Sequence, residues 1–146
     1  AHIAGARGVP TAAARAAGGP ESARVGQILE DPSRDLAWQS LRPGIEHYPL
    51  TGDSEPGGWA RLFRFQPGVR LPRHSHGGEE YALVLQGSYV DESGRFSLGD
   101  FSEADASLTH EPIVDSRVAC IALIAATGGI RFENPMYRAA SRLFGL

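Results

Sequence analysis

The sequence is poor in cysteine, in basic residues and in long apolar runs. Cys120 is the only cysteine in 146 residues, which excludes an internal disulfide framework and a thiolate-rich zinc finger within this chain. The 14 basic and 17 acidic residues give a net charge of −3, unlike the basic surfaces that bind nucleic acid. The longest apolar stretch, Val118–Ala126, is far below the roughly 20 residues that cross a bilayer. We expect a cytoplasmic protein that binds neither membranes nor nucleic acid directly.

The amino-terminal segment also lacks the bulk to form a core. Residues 1–32 consist mainly of Ala, Gly, Pro and Arg, with little apolar bulk before Val25. This composition predicts a flexible tail or interdomain linker, followed by one folded domain over residues 33–146. The chain does not begin with methionine, and its only methionine is Met136. We therefore expect it to be a fragment of a longer protein.

Glycine (18) and proline (10) are plentiful, and short apolar stretches alternate with turn signals. From Trp59 onward the apolar pattern has a period of two, which is typical of strands. Strands are predicted at residues 59–66, 69–76, 80–86 and 118–127, with a hairpin turn at 91–94. Asn134-Pro135 predicts the start of a short carboxyl-terminal helix. This pattern predicts an all-β sandwich or barrel.

The segment Pro72-Arg73-His74-Ser75-His76-Gly77-Gly78-Glu79-Glu80 has the pattern of a metal site. Residues two apart on a strand point to the same face, so His74 and His76 present both imidazoles together. A carboxylate after the glycine turn reaches the same point from the next strand. Imidazole and carboxylate suit zinc, iron, manganese and nickel. We predict one divalent metal ion.

Either Glu79 or Glu80 can supply that carboxylate, because alternation turns only one of them inward. If Glu80 faces the metal, the small side chains of Ala82 and Val84 follow it inward and leave a cavity. If Glu79 faces the metal, bulky residues fill the chamber instead. Side-chain volume therefore favours Glu80, and we expect Phe63, Ala82 and Val84 to line the cavity.

These residues resemble the conserved motifs of the cupin superfamily. Gly68, His74, His76, Glu80 and Gly87 match every fixed position of the first cupin motif. In the second motif Gly99 and His110 are in register, whereas Asp105, Ser107 and Val114 replace the usual proline, glycine and asparagine. The resemblance implies a single-domain cupin, a double-stranded β-helix or jelly-roll barrel, with His110 as a fourth metal ligand.

From about Leu36 to the terminus the chain is similar to the cupin domain of ChrR-type anti-sigma factors. The runs that carry this resemblance are 76–80, 83–85, 87–92, 99–101, 103–105, 110–112, the strand around Cys120, and 142–146. It implies a zinc-binding sensor that regulates sigma-factor-dependent transcription in response to an oxidant or small ligand at the metal. In that family a separate helical domain binds the sigma factor. Its Cys-x-x-Cys zinc pattern is absent here, so a sigma-factor partner would bind through a missing amino-terminal domain. Homodimers are also expected from the resemblance.

The same ligand set supports an alternative function. Other cupins with three histidines and a glutamate are dioxygenases or isomerases that use iron, manganese or nickel. No general base beyond the ligands stands out, and the catalytic residues of such an enzyme are unknown from the sequence. His2 and His47 are expected to be solvent or turn histidines. Cys120, in an apolar strand, is expected to be a core residue of low reactivity.

Overall fold

A computed structural model describes residues 27–28, 30–32, 36–50 and 58–143 of the chain. The chain divides into two compact units, Ala1–Asp31 and Pro32–Leu146. In the first unit, the described residues 27, 28 and 30 are helical. The tail predicted for residues 1–32 lies mostly outside the described residues and stays a prediction.

The second unit is built from short antiparallel strands and one described helix. The strands are β1 (Gln39–Arg42), β2 (Ile45–Pro49), β3 (Trp59–Phe65), β4 (His74–His76), β5 (Glu80–Gln86), β6 (Ser88–Asp91), β7 (Gly94–Ser97), β8 (Phe101–Ala104), β9 (Ile113–Val114), β10 (Cys120–Ala126) and β11 (Ile130–Phe132). The helix α1 spans Pro135–Leu143.

Three sheets form this unit, and every strand pairing described is antiparallel. A six-stranded sheet has the order β1-β2-β3-β10-β5-β8, a two-stranded sheet pairs β11 with β4, and a three-stranded sheet has the order β7-β6-β9. Strand β10 lies between β3 and β5, where Leu123 is opposite Leu62 on one side and Leu83 on the other. This central position explains why β10 is nearly all apolar.

The inner face of the large sheet carries the core. Phe63 and Phe65 on β3, Val84 on β5 and Cys120 on β10 belong to one buried cluster, together with Ile45 on β2. The rings of Phe63 and Phe65 stack with centroids 5.7 Å apart. Because inner positions alternate along each strand, Glu80 and Ala82 share the face of Val84, and that face leads to the histidines of β4.

The predicted strands at 59–66, 80–86 and 118–127 are confirmed to within two residues at their ends. The strand predicted over residues 69–76 is wrong in length, since only His74–His76 forms a strand. Pro72 interrupts it, because proline has no amide hydrogen to donate to a sheet. Upstream, Arg70 makes only an isolated bridge to Ile113.

The carboxyl-terminal helix begins as predicted at Asn134-Pro135. The Met136 amide donates a hydrogen bond to Asn134 Oδ1 at 2.9 Å, which caps the first turn. Tyr137 contacts Phe132 of β11, with ring centroids 6.0 Å apart, whereas Met136 is exposed. In the described part of the chain, no helix is long and apolar enough to cross a membrane.

Candidate metal centre

Two neighbouring segments bring three histidines together inside the domain. His74 and His76 lie on β4 with one residue between them, and the His110 segment is bridged to β4 by backbone hydrogen bonds between His74 and His110 in both directions. All three side chains are buried. One ring nitrogen of each lies within 4.8 Å of the others, and among the described residues these three histidines could hold one metal ion.

Hydrogen bonds to the outer ring nitrogens fix how the imidazoles point. His74 Nδ1 lies 2.8 Å from the Pro72 carbonyl oxygen, and His110 Nδ1 lies 2.7 Å from Asp91 Oδ2. His76 Nδ1 has a longer contact, 3.4 Å, with the Asp105 carbonyl oxygen. Because these partners accept hydrogen bonds, each Nδ1 carries the proton and each Nε2 offers a lone pair. Metal-binding histidines are usually oriented in this way.

The Nε2 atoms fit a cation between them. His110 Nε2 and His74 Nε2 are only 3.1 Å apart, so two lone pairs would repel unless a proton or a metal ion lies between them. Burial lowers the pKa of His74 to about 4, which keeps this imidazole neutral at pH 7, the form that binds metal. The donors present therefore suit a borderline divalent ion.

The two glutamates after the glycine turn face different ways. Glu80 Oε1 lies 3.4 Å from His76 Nε2, and its side chain is 12% exposed. Burial lowers the pKa of His76, but the hydrogen bond and charge of Glu80 outweigh this effect and the net pKa is raised. Glu79 instead accepts a hydrogen bond at 3.0 Å from the exposed hydroxyl of Tyr81. Glu80 thus lies beside the histidines, but it does not belong to the group whose ligand atoms all lie within 4.8 Å of one another.

Asp91 is a site residue that sequence reasoning missed. Its carboxylate is 3% exposed, accepts the His110 contact described above, and also accepts a hydrogen bond from the Ser93 amide at 2.7 Å. The neighbouring Glu92 binds Arg73 at 2.7 Å and the Glu111 amide at 3.0 Å. The turn after β6 is therefore tied to both histidine segments. In the sequence this turn has only the pattern of a hairpin loop.

A cavity of about 300 Å³ lies beside the histidines, and His74, His110 and Glu80 form part of its wall. Phe63 and Ala82, two of the three residues expected to line a cavity, do so. The expectation for Val84 is corrected, since Val84 is packed within the apolar cluster and is 1% exposed. It lies further along β5 from the metal end than Ala82 does, in the same buried cluster as Phe65, Val114 and Cys120.

Two other residues can be compared with expectation. His47, expected at the surface or in a turn, is buried on β2 and contacts Phe63, because alternation along β2 directs it to the inner face. Cys120 is buried as expected, and burial raises the pKa of its thiol to about 12. A thiol so weakly ionised is a poor nucleophile.

The antiparallel strands and the buried histidine cluster are those of a cupin. Two solved structures illustrate the shared fold. One is an acetylacetone dioxygenase from Acinetobacter johnsonii, at 14% identity and a TM-score of 0.60, covering 75% of this chain and 88% of the other. An RmlC-like cupin protein from Ralstonia eutropha gives 21% identity and a TM-score of 0.58, over 67% of each chain. Identities this low show the fold alone.

The family is more specific. The family described as the ChrR cupin-like domain matches residues 30–128, and the chain belongs to it. The anti-sigma-E factor ChrR of Cereibacter sphaeroides is 37% identical over 110 residues, which cover 75% of this chain. The structure of Rhodobacter sphaeroides SigE in complex with the anti-sigma ChrR matches with a TM-score of 0.62 and 34% identity, over 70% of this chain and 55% of that one. The chain spans about half (49%) of the length of the ChrR sequence.

Proposed function

We propose that this chain is the sensing domain of a sigma-factor regulator, and that it detects a change at a bound metal ion. The observation that carries the proposal is the 37% identity to an anti-sigma factor over three quarters of the chain. The matched region, residues 30–128, contains all four proposed ligands, His74, His76, Glu80 and His110. The proposal places the protein in the cytoplasm, where sigma factors meet RNA polymerase.

Zinc is the proposed ion. Three imidazoles and one carboxylate suit zinc, which adopts four-coordinate geometry without redox chemistry of its own. When bound, such an ion supplies positive charge that holds the four side chains together, and its loss or reaction with an incoming molecule would leave them free to separate. The oriented Nδ1 contacts and the short distance between His74 and His110 support this role.

Metal analysis tests the site first. Protein purified without added metal should contain close to one zinc ion per chain by inductively coupled plasma mass spectrometry. His76→Gln should lose this zinc. The matched control is His47→Gln, since His47 is also a buried histidine but lies outside the cluster. Retention of zinc by the His76 variant at wild-type affinity would contradict the ligand assignment.

Binding of the sigma factor tests the regulatory role. The full-length protein, including any domain beyond this chain, should bind a sigma factor of its own organism in a pull-down experiment, and the His76→Gln variant should bind equally well. Only the wild type should release the sigma factor when an oxidant such as singlet oxygen is generated. If both proteins release it alike, the cupin domain is not the sensor. Size-exclusion chromatography with light scattering would test the expected homodimer.

A metal-dependent dioxygenase is the second candidate, and the cavity beside the histidines is the observation that favours it. An enzyme needs room for a substrate next to the metal, and a purely structural site does not. Oxygen consumption by iron-loaded protein with pentane-2,4-dione would support this candidate. Bound zinc with no turnover would leave it without support.

A further inference from the structure

The cavity wall is mostly apolar. Its lining includes the rings of Phe63, Phe65 and Phe96 and the aliphatic side chains of Leu71, Leu108 and Ile124. A volume of about 300 Å³ is at the lower end of the range of small-molecule sites. Binding to such a wall becomes more favourable in proportion to the apolar surface that the occupant removes from water. The occupant is therefore a small molecule with a substantial apolar part.

The charges around the cavity disfavour a strongly anionic occupant, because three lining carboxylates outweigh the two positive charges of the proposed zinc ion. Three carboxylates, those of Glu80, Asp91 and Glu103, are in its lining, whereas none of the described lining residues is a lysine or arginine. A phosphate group would be desolvated there without a protein cation to pair with it, which is costly. The wall instead offers neutral hydroxyls, since Tyr89 Oη and Ser102 Oγ lie 3.1 Å apart. These groups favour an uncharged ligand.

Some of the lining residues are exposed, and they lie on strand β8 and in the β6–β7 turn. Phe101, which forms part of the lining, is 55% exposed. Glu103 on the same strand and Ser93 in the turn also line the cavity and are exposed. The histidines, by contrast, are buried at 3–6% exposure. The lining therefore runs from exposed residues such as Phe101 to the buried His74 and His110.

We propose that this cavity binds a small, neutral, mostly apolar molecule with one oxygen function that the Tyr89 or Ser102 hydroxyl can hydrogen-bond, and that its binding is an input to the sensor. This inference rests on the proposed function for its regulatory consequence and on the cavity alone for the binding itself. A neutral ketone is the simplest probe with these properties.

The experiment measures tryptophan fluorescence during titration with 2-hexanone, 2-octanone and octyl phosphate. Trp59 lines the cavity, and a Trp38→Phe background removes the other tryptophan. Affinity should rise about fourfold for each added methylene, because each is worth about 0.8 kcal/mol on burial, whereas octyl phosphate should bind at least tenfold more weakly than 2-octanone. Ala122→Leu should lower ketone affinity at least tenfold because Ala122 lines the cavity. Ala139→Leu on the exposed side of α1 is the matched control.

Three outcomes would overturn the binding site: no saturable fluorescence change with either ketone, octyl phosphate binding as tightly as 2-octanone, or unchanged ketone affinity in a folded Ala122→Leu variant. If that variant does not fold, the binding site is tested by comparing the affinities of 2-hexanone, 2-octanone and octyl phosphate for the Trp38→Phe protein. The regulatory part is tested separately with the full-length protein. If a ketone binds but the complex of the full-length protein with its sigma factor stays intact, the regulatory role of the ligand is refuted, whereas the binding site is not. Release of the sigma factor by singlet oxygen without any ketone binding would refute the site and leave the proposed function.

Discussion

Replacing Asp91 by alanine should weaken metal binding although Asp91 is not a proposed ligand. The carboxylate lies 2.7 Å from His110 Nδ1 and is almost completely buried. It keeps the proton on Nδ1 and the lone pair on Nε2, so its removal lets the ring rotate or change tautomer. A carboxylate that accepts the outer N–H of a metal-binding histidine also strengthens metal binding in general.

The magnitude follows from the strength of this one contact. A hydrogen bond to a charged group contributes about 1.5–3 kcal/mol, which corresponds to about a 10- to 100-fold loss of metal affinity and agrees with the range for outer-shell partners of metal ligands. Asp91→Asn keeps an oxygen acceptor but removes the charge. Since charge-assisted hydrogen bonds are roughly twice as strong as neutral ones, we expect about a 5- to 10-fold loss for this variant.

Zinc affinity would be measured by competition with a chromogenic chelator at pH 7.5, with circular dichroism to confirm folding. Asp115→Asn is the matched control, because Asp115 is hydrogen-bonded to Ser88 and Arg95 and contacts no histidine in the cluster. It should bind zinc like the wild type. If Asp91→Ala retained zinc affinity within threefold, or if Asp115→Asn lost as much, the orienting role would be refuted.

The remaining predictions concern the proposed ligand Glu80, the Cys120 thiol and the turn between β10 and β11. Glu80→Gln should lower zinc affinity at least tenfold in the same competition assay, whereas Glu79→Gln should leave it unchanged; equal losses would remove the distinction between them. The Cys120 thiol has its pKa raised from 9.0 to about 12 and should be ionised roughly 1,000-fold less than a free thiol at pH 8, so native protein should resist iodoacetamide until it is denatured. Because this pKa is raised, Cys120 should also make the free energy of unfolding fall as the pH rises from 9 towards 12. Urea titrations at alkaline pH would detect this fall. Gly128→Ala places a methyl carbon 2.6 Å from the Gly78 amide nitrogen and should reduce stability by about 1–3 kcal/mol, as measured by urea unfolding, whereas a loss below 0.5 kcal/mol would show that the loop yields easily.

Much of the fold can be predicted from local pattern. Strands β3, β5 and β10 are long, inward-facing on alternate residues or apolar throughout, so their periodicity is clear. Strands β1, β2, β8, β9 and β11 were missed, because they are short, partly exposed or interrupted by turn residues. Their existence depends on the partner strands that they pair with, which local sequence does not specify.

The argument from side-chain volume predicts the orientation of Glu80 but not the extent of the cavity. Alternation and the small size of Ala82 put Glu80 on the inner face, and Glu80 lies 3.4 Å from His76 there. The same alternation extended to Val84 overestimated the cavity, since Val84 is 1% exposed and belongs to the buried cluster that includes Phe65 and Val114. Those neighbours come from other strands, and their approach cannot be derived from β5 alone.

The sequence by itself determined the paired histidines of β4, the nearby carboxylate and the cupin pattern, because these depend on a period of two and on spacing along one chain segment. Only the tertiary structure decided that Asp91 orients His110 and that His47 is buried. It also decided that the cavity lining is mostly apolar, with no lysine or arginine among the described residues. Each of these depends on segments far apart in sequence, such as Asp91 and His110, meeting in space. Those meetings are set by strand order and register, which the spacing of residues along one strand does not encode.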